Sequence, residues 1–69
     1  MTLIFGKDNC PYTIAAREDF EHRKIAFEYV NVKKHRADLD RMLVHSNGRR
    51  AVPVIVADDG GVTIGFGGT

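Results

Sequence analysis

The sequence predicts an α/β sandwich built on a four-stranded mixed sheet, with elements in the order β-α-β-α-β-β. Three observations carry this prediction. Two segments with helical spacing of their apolar residues each follow a short apolar or β-branched run. Two further apolar runs flank "DDGG" near the end of the chain, the pattern of a hairpin. The 69 residues leave room for a single compact domain, 1–69, with a thin core.

Residues 2–5, "TLIF", stop at Gly6 and suit a short buried strand better than half a turn of helix. Pro11 then sits where the first turn of a helix tolerates a missing N–H, Asp8 or Asn9 can cap it, and Tyr12, Ala16 and Phe20 follow at spacings of four. That helix is expected to run to about Arg23. "AFEYVNV", 26–32, alternates apolar and polar residues and is rich in strand formers, so it reads as a second strand paired with the first. From Asp38, the residues Leu39, Met42 and Leu43 mark a second helix, which Asn47 and Gly48 stop with a left-handed turn. "VPVIVA", 52–57, is a continuous apolar strand, and "VTI", 62–64, returns after the turn. A strand, helix and strand joined in this way make a parallel pair, and the final hairpin adds antiparallel strands. Pro53 opens the third strand where a proline costs no ladder bond and a cis peptide gives a tight entry turn.

The 43% hydrophobic and 28% charged content is that of a folded globular domain, which excludes the disordered class. A net charge of +1 supplies no broad field for nucleic acid or an anionic membrane, and neither is expected as a partner. "KKHR", 33–36, and Arg49 with Arg50 are local basic spots; "KKHR" reads as a solvated connection, with a site for phosphate or an acidic partner as the alternative. One cysteine forms no internal disulfide, which excludes the disulfide-stapled secreted class and favours a reducing compartment. The opening apolar run is too short for a signal sequence or a membrane span, so a cytoplasmic location is expected.

That cysteine, Cys10, falls at the junction of the first strand and first helix in "GKDNCPYT". Free N–H groups of the first helical turn and the helix macrodipole favour negative charge there, and Lys7 adds a cation if the loop folds back. Both effects lower a thiol below its free pKa of about 8.5, which makes Cys10 a candidate nucleophile. The competing reading is a small buried hydrophobe, but a residue between "KDN" and proline is not expected to lie deep. Thr13, one turn on, can donate its hydroxyl to the sulfur or help to cap the helix.

Taken with "NGRRAVPVIV" and "IGFGG" downstream, "KDNCPYT" resembles the glutaredoxin family of the thioredoxin-fold superfamily. The resemblance spans essentially the whole chain and rests on three motifs in order: the C-P-Y-x site, the Val-Pro turn and the glycine pair after the last strand. The chain is most similar to small bacterial glutaredoxins with C-P-Y-T sites, a group related to those in which selenocysteine replaces the first cysteine. The resemblance implies a thioredoxin-like fold and a glutathione-dependent thiol–disulfide oxidoreductase. It has no tightly bound cofactor, glutathione is the co-substrate, and glutathionylated proteins or small disulfides are the partners. Cys10 would be the nucleophile, Lys7 and Arg49 would face the glycine carboxylate of glutathione, and Tyr12 and Thr13 would line the groove at the sulfur. The backbone of Val52, before a cis Pro53, would pair with the cysteinyl part of the tripeptide as an added strand does. Gly67 and Gly68 would let the chain approach the γ-glutamyl end.

Three departures qualify the resemblance. Thr69 stands where family members commonly carry an aspartate after the glycine pair. Thr13 replaces the second active-site cysteine, which removes the dithiol route and implies a monothiol mechanism on glutathione mixed disulfides. The family's third helix is absent, so an apolar face over "VPVIVA" and "VTI" is expected to lack cover and to invite a partner or a homodimer. A second reading makes the chain a non-enzymatic iron–sulfur module that holds a cluster across a dimer with Cys10 and glutathione; Pro11 and Tyr12 fit the catalytic kind better. A sulfur carrier of β-grasp type, suggested by the glycine pair, conflicts with a cysteine that opens a helix. His22, His35 and His45 lack paired-ligand spacing and imply no metal site, and Asp58 and Asp59 read as turn residues.

Overall fold

β1 (Thr2–Gly6) is the strand on which the rest is built. In the computed structural model, which describes residues 1–67, it is followed by α1 (Pro11–His22), β2 (Phe27–Asn31), α2 (Arg36–His45), β3 (Val54–Val56) and β4 (Val62–Ile64). The sheet order is β2-β1-β3-β4: β2 runs parallel to β1, whereas β3 is antiparallel to both β1 and β4. This is the mixed four-stranded sheet expected from the sequence, and it has the two expected helices.

Register explains the two cores. Phe5 faces Val30 on one side and Val54 on the other, while Ile4 lies between Tyr29 and Ile55. Because successive side chains point to opposite faces, Phe5, Val30, Val54 and Val56 pack with Met42, Leu39 and Leu43 of α2. Ile4 and Ile55 pack on the other face with Ala16 and Phe20 of α1, joined by Phe27 and Phe66. A sheet covered on both faces needs near-continuous apolar inner strands, which "LIF" and "VIV" provide.

The helices differ from expectation at their starts and stripes. α1 turns Thr13 and Ala16 inward, and Tyr12 is 43% exposed, so the buried stripe begins one residue later than the spacing of four suggested. Neither Asp8 nor Asn9 caps it: the N-cap residue is Cys10 itself, with no side-chain cap hydrogen bond. α2 begins at Arg36, ahead of Asp38, because Arg36 pairs with Asp40 and Asp38 with Arg41 along its surface. It ends as predicted: Asn47 and Gly48 take positive φ, and the Gly48 N–H donates to the Leu43 carbonyl at 2.8 Å in a Schellman closure. The Val52–Pro53 peptide is cis, and β3 starts after it, at Val54.

The expected open face over the third strand needs correction. Val54, Ile55 and Val56 are all buried: Val54 and Val56 pack with Met42 of α2, and Ile55 belongs to the cluster on the α1 face that Phe66, past the end of β4, packs against. Exposure is confined to β4, where Val62 and Thr63 face solvent. Asp59 accepts the Gly61 N–H within the β3–β4 turn, and Asp58 pairs with the chain's amino terminus, so both are structural. No helix among the described residues is long and apolar enough to cross a membrane.

Candidate active site around Cys10

β1 delivers the chain at Gly6 into the loop Lys7–Asn9, and the helix begins at Pro11. Cys10 sits at the turn: its N–H donates to the Lys7 carbonyl at 3.3 Å and its carbonyl accepts the Ile14 N–H at 3.0 Å, the first bond of α1. An N-cap side chain ordinarily offers an oxygen to the N–H groups of the second and third helical residues. Here those residues are Tyr12 and Thr13, and the group offered to them is the Cys10 sulfur.

The ionisation of Cys10 follows from this placement. Burial is the largest influence and pushes the thiol up, since a thiolate would lose water. The Thr13 N–H, the Thr13 hydroxyl, the Tyr12 N–H and the Lys7 charge, in that order, act the other way and together hold Cys10 below its ordinary value. The helix start thus favours the charged form of the sulfur, and Lys7 is its smallest support. Cys10 is only 7% exposed, against the expectation from sequence that it would not lie deep. Gly6 and Thr13, close to it in sequence on either side, are buried as well.

Thr13 fills the space between loop and strand. It is fully buried, and a Cβ at Gly6 would come within 2.6 Å of its Oγ1, so the glycine is a packing requirement. Oγ1 makes no hydrogen bond of standard geometry in the resting protein, yet the hydroxyl favours the charged form of Cys10. A hydroxyl rotor accounts for both facts: the donor is uncommitted beside a thiol and turns to the sulfur when it ionises.

The loop is held from outside as well. The Tyr29 hydroxyl of β2 donates to Asp8 Oδ1 at 2.8 Å, and the Arg17 guanidinium lies 3.9 Å from the centre of the Tyr29 ring. On the other side, the pairing of Phe5 with Val54 brings Val52 and Pro53 to the same end of the sheet as the Cys10 loop. The Gly65 N–H donates to the Pro53 carbonyl at 2.8 Å, which sets the start of the glycine turn against that proline. Gly67 follows, exposed and with positive φ; Gly68 and Thr69 lie outside the described residues.

A groove of about 470 Å³ runs between Lys7 of the Cys10 loop and Val52, lined also by Val32, Lys33, Arg36, Leu39, Met42 and Arg50, and Cys10 itself is not in the lining. Of the residues anticipated from sequence, Lys7 and Val52 line it. Tyr12 stands exposed beside Cys10, and Pro53 is buried behind Val52. Arg49 is exposed and outside the lining, its carbonyl accepting the Ser46 hydroxyl at 2.7 Å; its neighbour Arg50 enters the groove. Lys33, Arg36 and Arg50 were visible in the sequence only as basic spots, with no periodicity to aim them at one place. A second depression, between Asp8, Glu28, Tyr29 and His35, has mixed charge and lacks Lys7 and Val52. No group of three or more metal-ligating side chains occurs among the described residues.

Comparison with known proteins fits this geometry. The family model described as glutaredoxin matches residues 2–62. Among solved structures, a thioredoxin-like protein is 28% identical, with a TM-score of 0.86, and the match covers 97% of this chain and 89% of the other. The glutaredoxin-like NrdH-redoxin from Escherichia coli, described as having a thioredoxin-like activity profile, is 26% identical at a TM-score of 0.80, over 96% of this chain and 83% of its own. A glutaredoxin from Archaeoglobus fulgidus, 22% identical, shares the fold at a TM-score of 0.84, over 96% of this chain and 75% of that one. No curated protein sequence matches.

Proposed function

Because the chain belongs to the glutaredoxin family, whose members carry out thiol–disulfide exchange, we propose that it reduces glutathione mixed disulfides by a monothiol mechanism with Cys10 as nucleophile. One observation carries the reading: the Cys10 sulfur occupies a helix N-cap, where Thr13 and Tyr12 favour its thiolate, and the chain has no second cysteine to resolve what it attacks.

The chemistry balances with one protein sulfur. The Cys10 thiolate attacks the glutathione sulfur of a mixed disulfide, forming Cys10–glutathione disulfide and expelling the substrate thiolate, which takes a proton from water. A glutathione thiolate then attacks the glutathione sulfur of that adduct, and oxidised glutathione leaves with the Cys10 thiolate restored. Lys7 and Arg50 suit the glycine carboxylate, with Arg50 in the role that the sequence suggested for Arg49. The Val52 backbone, before Pro53 and in the lining of the groove, would offer strand-like hydrogen bonds to the cysteinyl residue. Gly67 and Gly68 would give the γ-glutamyl end room. Tyr12 flanks the sulfur on the open side.

The test is turnover of hydroxyethyl disulfide and of a glutathionylated peptide with glutathione. Loss in Cys10→Ser and a Cys10–glutathione adduct by mass spectrometry are expected; undiminished activity in that variant would sink the mechanism. Turnover with a dithiol donor but not with glutathione would replace glutathione as the reductant.

A further inference from the structure

The groove beside the Cys10 loop is more cationic than one glutathione needs. It carries Lys7, Lys33, Arg36 and Arg50 and no carboxylate in its lining. The whole chain has a net charge of only +1, so four of its ten Lys and Arg gathered here form a local arrangement, not the overflow of a basic protein. Arg36 shares its guanidinium with exposed Asp40 at 3.0 Å, whereas Lys7, Lys33 and Arg50 have no ion pair among the described residues. Beneath the cations the floor is apolar: Met42 is fully buried, Val32 nearly so, and Leu39 and Val52 half-buried. Glutathione in the pose above brings one carboxylate to this side, for Lys7 and Arg50. Lys33, from the β2–α2 connection, and Arg36, the first residue of α2, then have no group on the tripeptide to meet.

We propose that this groove receives a carboxylate-rich segment of a protein disulfide partner. Its acidic side chains meet Lys33 and Arg36, and an apolar side chain between them rests on Leu39 and Val52. Charge complementarity selects this occupant: a cationic rim, in which Lys7, Lys33 and Arg50 have no ion pair among the described residues and Arg36 has only an exposed Asp40, rejects basic segments and raises the encounter rate of acidic ones. The apolar floor favours a peptide over a bare anion, because an inorganic ion gains nothing from Leu39 and Val52. The inference deepens the reading above and rests on Cys10 being the exchanging thiol; docking itself can be measured without catalysis.

Two glutathionylated peptides that differ only in flanking Asp and Glu replaced by Asn and Gln test it. The acidic peptide is expected to show kcat/KM about ten-fold higher at low ionic strength, the advantage shrinking as salt is raised to about 0.3 M. The double variant Lys33→Gln, Arg36→Gln should lose that preference and turn over hydroxyethyl disulfide normally. Equal rates for the two peptides in the unaltered protein, or a preference that survives the double variant, would overturn the proposal. If no disulfide is turned over at all, the catalytic reading fails, and fluorescence anisotropy with a labelled, cysteine-free acidic peptide decides docking alone. Salt-sensitive binding that the double variant weakens supports it, and absent or unchanged binding refutes it. Displacement of that peptide by equimolar inorganic phosphate would give the groove to a phosphorylated small molecule instead.

Discussion

Tyr29 and Asp8 are joined by a 2.8 Å hydrogen bond that ties the edge strand β2 to the loop carrying Cys10. Burial first, and then the bond to Asp8, raise Tyr29 from its ordinary 10.0 to about 12. A raised pKa means that the folded protein keeps a proton that the unfolded chain has lost. The stability from this tyrosine is therefore complete below about pH 10 and disappears as the pH climbs through about 12. Tyr29→Phe should cost about 1 kcal/mol at neutral pH and flatten this alkaline decline. Denaturant melts of both proteins across pH 8 to 12 would check it, and parallel curves would refute the tyrosine as the cause.

Gly6 and Thr13 are in a tighter relationship, since a methyl group at position 6 would meet the Thr13 side chain. Both residues are buried, so Thr13 has little room to yield. Gly6→Ala should destabilise the domain by about 1–3 kcal/mol and move the Thr13 hydroxyl off the sulfur, raising the Cys10 pKa as well. Denaturant midpoints and ultraviolet thiolate titration read the two effects separately. A stability loss with an unmoved thiol titration would show that Thr13 shifts without mattering to Cys10.

The strand pattern, the helix periods and the Asn47–Gly48 stop were legible because each rests on local spacing or backbone chemistry that a few adjacent residues express. The end of α1, expected at about Arg23, falls there, with His22 its last residue and Arg23 its cap, but the way it closes was not legible. Lys24 takes a left-handed φ of 58° in a closure where the Ile25 N–H donates to the Phe20 carbonyl at 2.9 Å, and a lysine gives no sign of that conformation. The site divides the same way. Cys10 at a strand–helix junction and the cis Pro53 could be read directly, but the choice of Arg50 over Arg49 depends on how the loop held by Ser46 is turned. The close fit of Gly6 against Thr13 was not legible either, because it is a packing relation between residues that no periodicity links.

Lys24 gives a direct test of that missed closure. A left-handed conformation costs a non-glycine residue about 1 kcal/mol, part of which glycine returns through its looser unfolded chain. Lys24 is exposed and forms no ion pair with a described residue, so nothing else is lost on substitution. Lys24→Gly should raise stability by about 0.5 kcal/mol with unchanged activity, read from the urea midpoint. A lower midpoint would mean that the lysine side chain contributes more than its backbone costs.

Thr13→Val removes the hydroxyl and keeps the shape. In the thiol form the hydroxyl is buried without a partner, so the variant should gain about 1 kcal/mol of stability at pH well below the thiol titration. The sign reverses as Cys10 ionises. A depressed thiol pKa contributes stability that is complete above the unfolded value, near 9.0, and lost as the pH falls through the folded value. The variant should show less of this alkaline gain, a higher pH for thiolate formation, and about three- to ten-fold slower alkylation at neutral pH. An unaltered alkylation profile would leave the backbone N–H groups as the whole source of the effect.

Thr13→Cys asks whether the missing second thiol is what sets the route. Position 13 faces the sulfur from one turn along, and a cysteine fits the volume that threonine vacates, so fold and stability should hold. The new thiol would lie where it can attack a Cys10 mixed disulfide, releasing the bound group and leaving an internal disulfide. After exposure to oxidised glutathione, the variant should carry that disulfide, seen as the loss of two hydrogens in intact mass, where the unaltered protein carries a glutathione adduct. It should also gain reduction of protein disulfides that have no glutathione attached. If the variant accumulates the glutathione adduct as the unaltered protein does, the geometry at the start of α1, and not the absence of a thiol, confines this domain to one sulfur.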